Sequence, residues 1–181
     1  MSEQGRFYVA LYARGGRSRM PTKEDKYHWA LVTGPSVETP DTRGMRHHIT
    51  HSVQMVDDTP EMMWKYSEQD IPTGWTSKLL VRIYVGEVKS MTQVHSTLQN
   101  TPLQPDAAGW NCFQWVKDAF MAVAKDGEAL GEAVTDWQAV RDKAMEYVEG
   151  KIKAGRFELC RDFEHDDVPT WDMLGNKELA T

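Results

Sequence analysis

The sequence is poor in cysteine, in basic charge and in long apolar runs, and each shortage closes a class of function. Cys112 and Cys160 are the 2 cysteines in 181 residues, too few for a disulfide framework, and no CxxC spacing suggests zinc. The 21 Lys and Arg stand against 27 Asp and Glu, a formal charge of −6. The counterion-release drive of nucleic-acid binding is therefore missing, and no nucleic-acid partner is expected. No apolar stretch approaches the ~18–20 residues of a membrane span, and the early run at 7–13 lacks the length and cleavage pattern of a signal peptide. The expectation is a cytoplasmic protein with reduced thiols and no membrane span. There is also no Gly-rich phosphate loop or dinucleotide fingerprint, so no cofactor is expected. Oligomeric state leaves no trace in the sequence.

What is present describes a folded chain. Apolar residues at 40% and charged residues at 27% match ordinary globular proteins and argue against disorder. The length suits a single domain over 1–181, with a core at about 6–155 and a tail at 156–181 that packs back through Val168, Trp171, Met173 and Leu174. The 10 Met and 7 Trp read as core filling. Strands are predicted at 7–13, ending in Gly15-Gly16, at 27–33, ending in Gly34-Pro35, at 46–53, at 63–66 and at 79–88. Ser90 is placed to cap a short helix running to Leu98, and Thr135 to cap a longer one over 135–153. Between them, Cys112, Trp115, Val116, Ala119, Phe120 and Val123 share one face of a helix over 111–124. The predicted fold class is α+β, an antiparallel sheet of about five strands with helices packed on it.

That stripe puts Cys112 in the first turn of its helix, on the buried face. Unpaired N–H groups and the dipole at a helix start favour an anion, so the thiol is expected to ionise below its ordinary ~8.5. First-turn N–H groups, including that of Cys112, are placed to face the oxyanion of a tetrahedral intermediate. Asn111 supports this turn as an N-cap, Trp110 staples the entry, and Gly109 permits close backbone approach. A cysteine on an apolar helix face is equally well an inert core residue, and a histidine within reach is what separates the two.

His28, in the second strand, shares a face with Ala30 and Val32, whose small side chains leave room for the helix. It is expected to act as general base and then general acid. The next strand offers His47, His48 and His51 to orient its far ring nitrogen. His48 lies on the face of Arg46 and Thr50, His47 and His51 on that of Ile49, and alternation does not choose between them. His47 and His51 also suggest a pair of metal ligands, but no third or fourth ligand is evident and no metal is expected. His95 and His165 have no comparable setting, and Cys160 beside Arg161 reads as structural.

The runs Tyr27-His28-Trp29-Ala30-Leu31-Val32-Thr33-Gly34 and Trp110-Asn111-Cys112-Phe113-Gln114-Trp115-Val116 resemble the motifs of lecithin retinol acyltransferase-like proteins. These belong to the circularly permuted papain-like group, with the NlpC-like proteins. There a His-Trp-Ala-aliphatic strand precedes an Asn-Cys-x-x-aromatic-Val helix. The resemblance implies a permuted papain-like fold and a Cys-His-His set, with Cys112 as nucleophile, His28 as base and His48 as second histidine. Phe113-Gln114 stand where the acyltransferases have Glu-His, so lipid substrates are not implied. The pattern across roughly 6–125 also resembles an uncharacterised, mainly fungal family with Tyr-His-Trp-Ala-Leu, Arg-x-His, Leu-Leu-Val-Arg-Ile and Trp-Asn-Cys segments.

The expected function is that of a thiol hydrolase, amidase or acyltransferase acting on a small-molecule, acyl or amide substrate through a thioester on Cys112. Alternatives are a non-catalytic small-molecule binding protein on the same fold, or a cyclase or isomerase of specialised metabolism that uses the His28 pocket for proton transfer.

Overall fold

A computed structural model describes residues 4–158 and 167–180. The runs rich in β-branched and aromatic residues form strands β1 (Gly5–Ala13), β2 (Tyr27–Pro35), β3 (Arg43–Val56), β4 (Thr59–Pro72) and β5 (Leu79–Val88). β3 and β4 outrun the segments that alternation marks, because they pair with each other from Arg43↔Pro72 to Val56↔Thr59. Asp57 and Asp58, both at positive φ, close this hairpin, as the tight turn between two twisted strands requires. Ladder hydrogen bonds extend both strands beyond their apolar patterning.

Three more strands overturn the five-stranded antiparallel, permuted papain-like architecture expected from the sequence. β6 (Leu130–Ala133), β7 (Thr170–Asp172) and β8 (Lys177–Ala180) complete an eight-stranded sheet in the order β4-β3-β2-β1-β5-β7-β8, with β6 also on β5. The sheet is mixed, since β7 runs parallel to β5. A parallel neighbour requires a long crossover, and here the helices fill it. The added strands are three or four residues long, too short to display a two-residue period.

The helices are α1 (Met91–Gln99), α2 (Cys112–Lys125) and α3 (Trp137–Lys153). Ser90 caps α1, accepting from the Gln93 N–H. α3 is capped by Asp136 rather than Thr135, the Asp136 carboxylate accepting from the Ala139 N–H at 3.2 Å. None of the helices among the described residues is long and apolar enough to cross a membrane.

Both faces of β1 and β2 are buried, which explains why these strands read as nearly continuous apolar runs. One face carries Phe7, Val9, Leu11, Trp29 and Leu31, packed with residues of all three helices. The other carries Tyr8, Ala10, Tyr12, Ala30 and Val32, covered by Ile71, Val168 and Leu174. The role of core filler expected of methionine is met only at the margin: Met20, Met145 and Met173 pack partly buried against the core, while Met55 and Met62 stand exposed near the end of the β3–β4 hairpin. Trp29 and Trp115, both fully buried, fill that role.

Arg82 of β5 ties the second face together. Its guanidinium grips Glu38 at 2.8 and 3.0 Å and donates to the Thr170 hydroxyl and the Thr73 carbonyl, each at 3.2 Å. Only 6% of its side chain is exposed, against 55% for Arg43 in its pair with Asp70. Arg82→Leu is expected to lower the free energy of urea unfolding by about 3 kcal/mol, because it strands the Glu38 carboxylate. Arg43→Leu is expected to cost less than ~1 kcal/mol. Equal losses from the two variants would refute this assignment.

Candidate active site

α2 starts with Asn111 in an extended conformation, its side chain accepting from the Phe113 N–H at 2.9 Å and the Gln114 N–H at 3.3 Å. The Trp115 N–H bonds back to the Asn111 carbonyl at 3.1 Å. Of the first-turn donors, this leaves the N–H of Cys112 for an oxyanion. Asn111 also donates through Nδ2 to Met20 Sδ at 3.4 Å, which fastens the loop after β1 to the start of the helix.

The face chosen by α2 differs from the one anticipated. Cys112 shares its core with Trp29 and Leu31, whereas Ala30 and Val32, the companions of His28, belong to the opposite cluster. The small side chains beside His28 are already covered from the other side, and the helix instead seats Phe113 against the Trp29 ring at 5.0 Å. By strand alternation Cys112 and His28 therefore lie on opposite faces of the sheet, and no hydrogen bond joins them among the described residues. They share a neighbourhood at the end of β2. The backbone N–H of Trp29, the residue after His28, favours the Cys112 thiolate, and the charge of Arg14 acts on both side chains.

Cys112 is only 3% exposed. Burial pushes its thiol pKa up, outweighing the Trp29 N–H, Arg14 and the N–H groups of the helix start. The depressed value expected from helix position is reversed, because removing a thiolate from water costs more than the dipole returns.

The structure brings His28 and His48 together, with His28 Nε2 2.8 Å from His48 Nδ1 and the rings edge to face. Burial first, and the Arg46 charge second, lower His28 to about 4 and His48 to about 3. Both rings are neutral at pH 7, with one proton between the facing nitrogens. His48 Nε2 is buried without a partner. Tyr12 lies edge-on to His28, and the Arg46 guanidinium sits 4.9 Å from the centre of the Tyr12 ring.

His47 and His51 are engaged elsewhere. His47 Nδ1 meets the Tyr66 hydroxyl at 2.9 Å, that hydroxyl donates to Glu68 at 2.8 Å, and the His47 ring packs on His95. His51 stacks on Trp64 with ring centres 3.6 Å apart. Cys160 and His165 lie outside the described residues. Sequence reasoning singled out neither Tyr12 nor Arg14. Their one signal is the β1–β2 register, which sets Tyr12 opposite His28 and is fixed only by the fold. Arg46 was recognisable by its strand face, shared with His48.

An open cleft of about 670 Å³ adjoins the start of α2, with Arg14, Arg17, Met20, His51, Trp64 and Trp110 in its walls. A family model described as "Family of unknown function (DUF6914)" matches residues 4–180. No curated protein and no solved structure matches the chain.

Folding depresses both histidines of the pair below the unfolded value of 6.5, so on acidification the unfolded chain takes up protons first. Their contribution to stability is full above about pH 6.5 and disappears as the pH falls through about 4. His28→Gln is expected to flatten the urea midpoint as a function of pH across that window. A slope identical to that of the parent would contradict a buried neutral pair.

Proposed function

We propose that this chain, which belongs to the DUF6914 family of unknown function, is a cysteine-dependent acyl-transfer enzyme in which Cys112 carries the acyl group and His28 moves the proton. The observation that carries this reading is the hydrogen bond between His28 Nε2 and His48 Nδ1. It uses one ring nitrogen for orientation and leaves Nδ1 without a hydrogen-bond partner among the described residues. The peptide N–H of the next residue, Trp29, is among the groups that favour the Cys112 thiolate. The order of the three residues also agrees with the Cys-His-His set implied by the motif resemblance.

The chemistry follows from the charge states. With Cys112 held as a thiol and His28 neutral, no thiolate–imidazolium pair stands ready, so the proton moves as the bond forms. Cys112 Sγ attacks a carbonyl carbon while its proton passes to His28 Nδ1, and the resulting imidazolium donates through Nε2 to His48. The Cys112 N–H receives the oxyanion. Collapse expels the leaving group, which takes the proton from His28, and the thioester remains. Water, an amine or an alcohol then gives its proton to His28 and attacks the thioester carbon, the C–S bond breaks to release the acyl product, and Sγ takes the proton back from His28. Cys112 and His28 share no hydrogen bond, so the proton crosses between Sγ and Nδ1 by way of a bridging water.

A different observation, the burial of Cys112, favours a second reading in which the chain binds a small molecule without covalent chemistry. Exposure to p-nitrophenyl acetate followed by peptide mass analysis separates the two. Acetylation is expected at Cys112, absent in Cys112→Ala and slowed about 10²-fold in His28→Ala. The rate is expected to rise with pH through His28's value of about 4 and to hold a plateau near neutrality. Acetylation elsewhere, or a parental rate in His28→Ala, would leave only the binding reading.

A further inference from the structure

We infer that the cleft at the start of α2, which reaches Asn111 next to Cys112, selects acyl or amide compounds that carry both an aromatic ring and a carboxylate. This deepens the acyl-transfer reading and rests on it for the acyl or amide group.

The aromatic half of the argument comes from β3, β4 and the approach to α2. His51 of β3 stacks on its cross-strand partner Trp64, and Trp64 meets Trp110 at 5.6 Å with the rings nearly perpendicular. All three line the cleft. Trp110 lies two residues before Cys112, and the lining continues to Asn111, the residue before the thiol. Two indoles set edge to face present flat apolar surface to a ring. The Trp110 indole N–H is buried without a partner.

The charged half comes from the loop after β1. Arg14, Arg17 and Arg19 all line the cleft, with Asp25 as the single carboxylate among the lining residues. Asp25 is already committed. It accepts from the Ser18 hydroxyl and from the N–H groups of Arg19 and Met20, and these bonds hold it below its ordinary pKa despite the opposing effect of burial. Arg14 spends one donor on the Asp25 carbonyl at 3.1 Å. No ion pair engages any of the three arginines among the described residues. A positive wall in a chain of net charge −6 is a local exception, and guanidinium groups match carboxylates in a planar, bidentate way. A phosphate would instead call on the helix N-terminus, where Asn111 has already taken the N–H groups of Phe113 and Gln114.

The test uses the full chain with Cys112→Ala, which retains the cleft and removes the covalent step. N-benzoylglycine is titrated while the indole ¹H–¹⁵N resonances of Trp64 and Trp110 are followed, each assigned by its Leu variant. Saturable shifts of both are expected, with affinity weakened at least about tenfold for neutral N-benzoylglycinamide, for N-hexanoylglycine, and in the Arg17→Gln/Arg19→Gln variant. The proposal is overturned by an absence of shifts up to about 10 mM, ten times the Kd of a ~1 mM ligand. Equal affinity for any of the three controls overturns it too, as does tighter binding of phenyl phosphate. Acetylation of Cys112 by p-nitrophenyl acetate is read separately on the unsubstituted chain, so a failed cleft and a failed nucleophile give different results.

Discussion

The register between β1 and β2 is the constraint on which the rest of the molecule depends. It runs without a break from Gly5↔Pro35 to Ala13↔Tyr27. A slip of one residue would exchange the faces of His28 and Trp29, removing the indole from beneath α2 and putting the imidazole there. Burial on both sides forbids that exchange, and the Trp29 indole N–H adds a pin by donating to the Glu24 carbonyl at 2.8 Å. α2 rests on the surface this register creates. The place of Cys112 is thus decided by an indole one residue away from the histidine it is proposed to work with.

Competition between burial and the helix start then sets the chemical character of the site. The field at a helix N-terminus is worth roughly 0.3–1 kcal/mol in ordinary surroundings, while taking a charge out of water costs several kcal/mol even after relaxation. Burial wins at Cys112, and it wins again at His28 and His48. A site of neutral groups results, and on the acyl-transfer reading proposed above charge develops there only when a bound carbonyl receives it.

The central strands and the caps at Ser90 and Asn111 were legible in the sequence because their causes are local: a run of β-branched and aromatic residues, or a side chain that accepts from the N–H two or three positions ahead. The order of His28, His48 and Cys112 was legible for the same reason. The faces of the sheet were not. Ala30 and Val32 advertised room for a helix, but that room is filled by Ile71, Val168 and Leu174 from distant parts of the chain. β6, β7 and β8 exist because β5 and its neighbours offer edges to pair with, a property of the assembled sheet and not of their own residues. The arginine loop reaches the site for a similar reason, through the contact between Met20 and Asn111.

The bond between His28 and His48 has one more consequence. A single proton lies between two neutral rings, and it belongs to one or the other. When it resides on His28 Nε2, the far nitrogen of that ring is an acceptor. When it resides on His48 Nδ1, the far nitrogen of His28 carries its own hydrogen and is a donor. These two settings have the same net charge, so neither salt nor any pH above the range of the pair selects between them. The pair is a bistable, isoelectric element whose setting follows whether the neighbour of the far His28 nitrogen offers a donor or an acceptor.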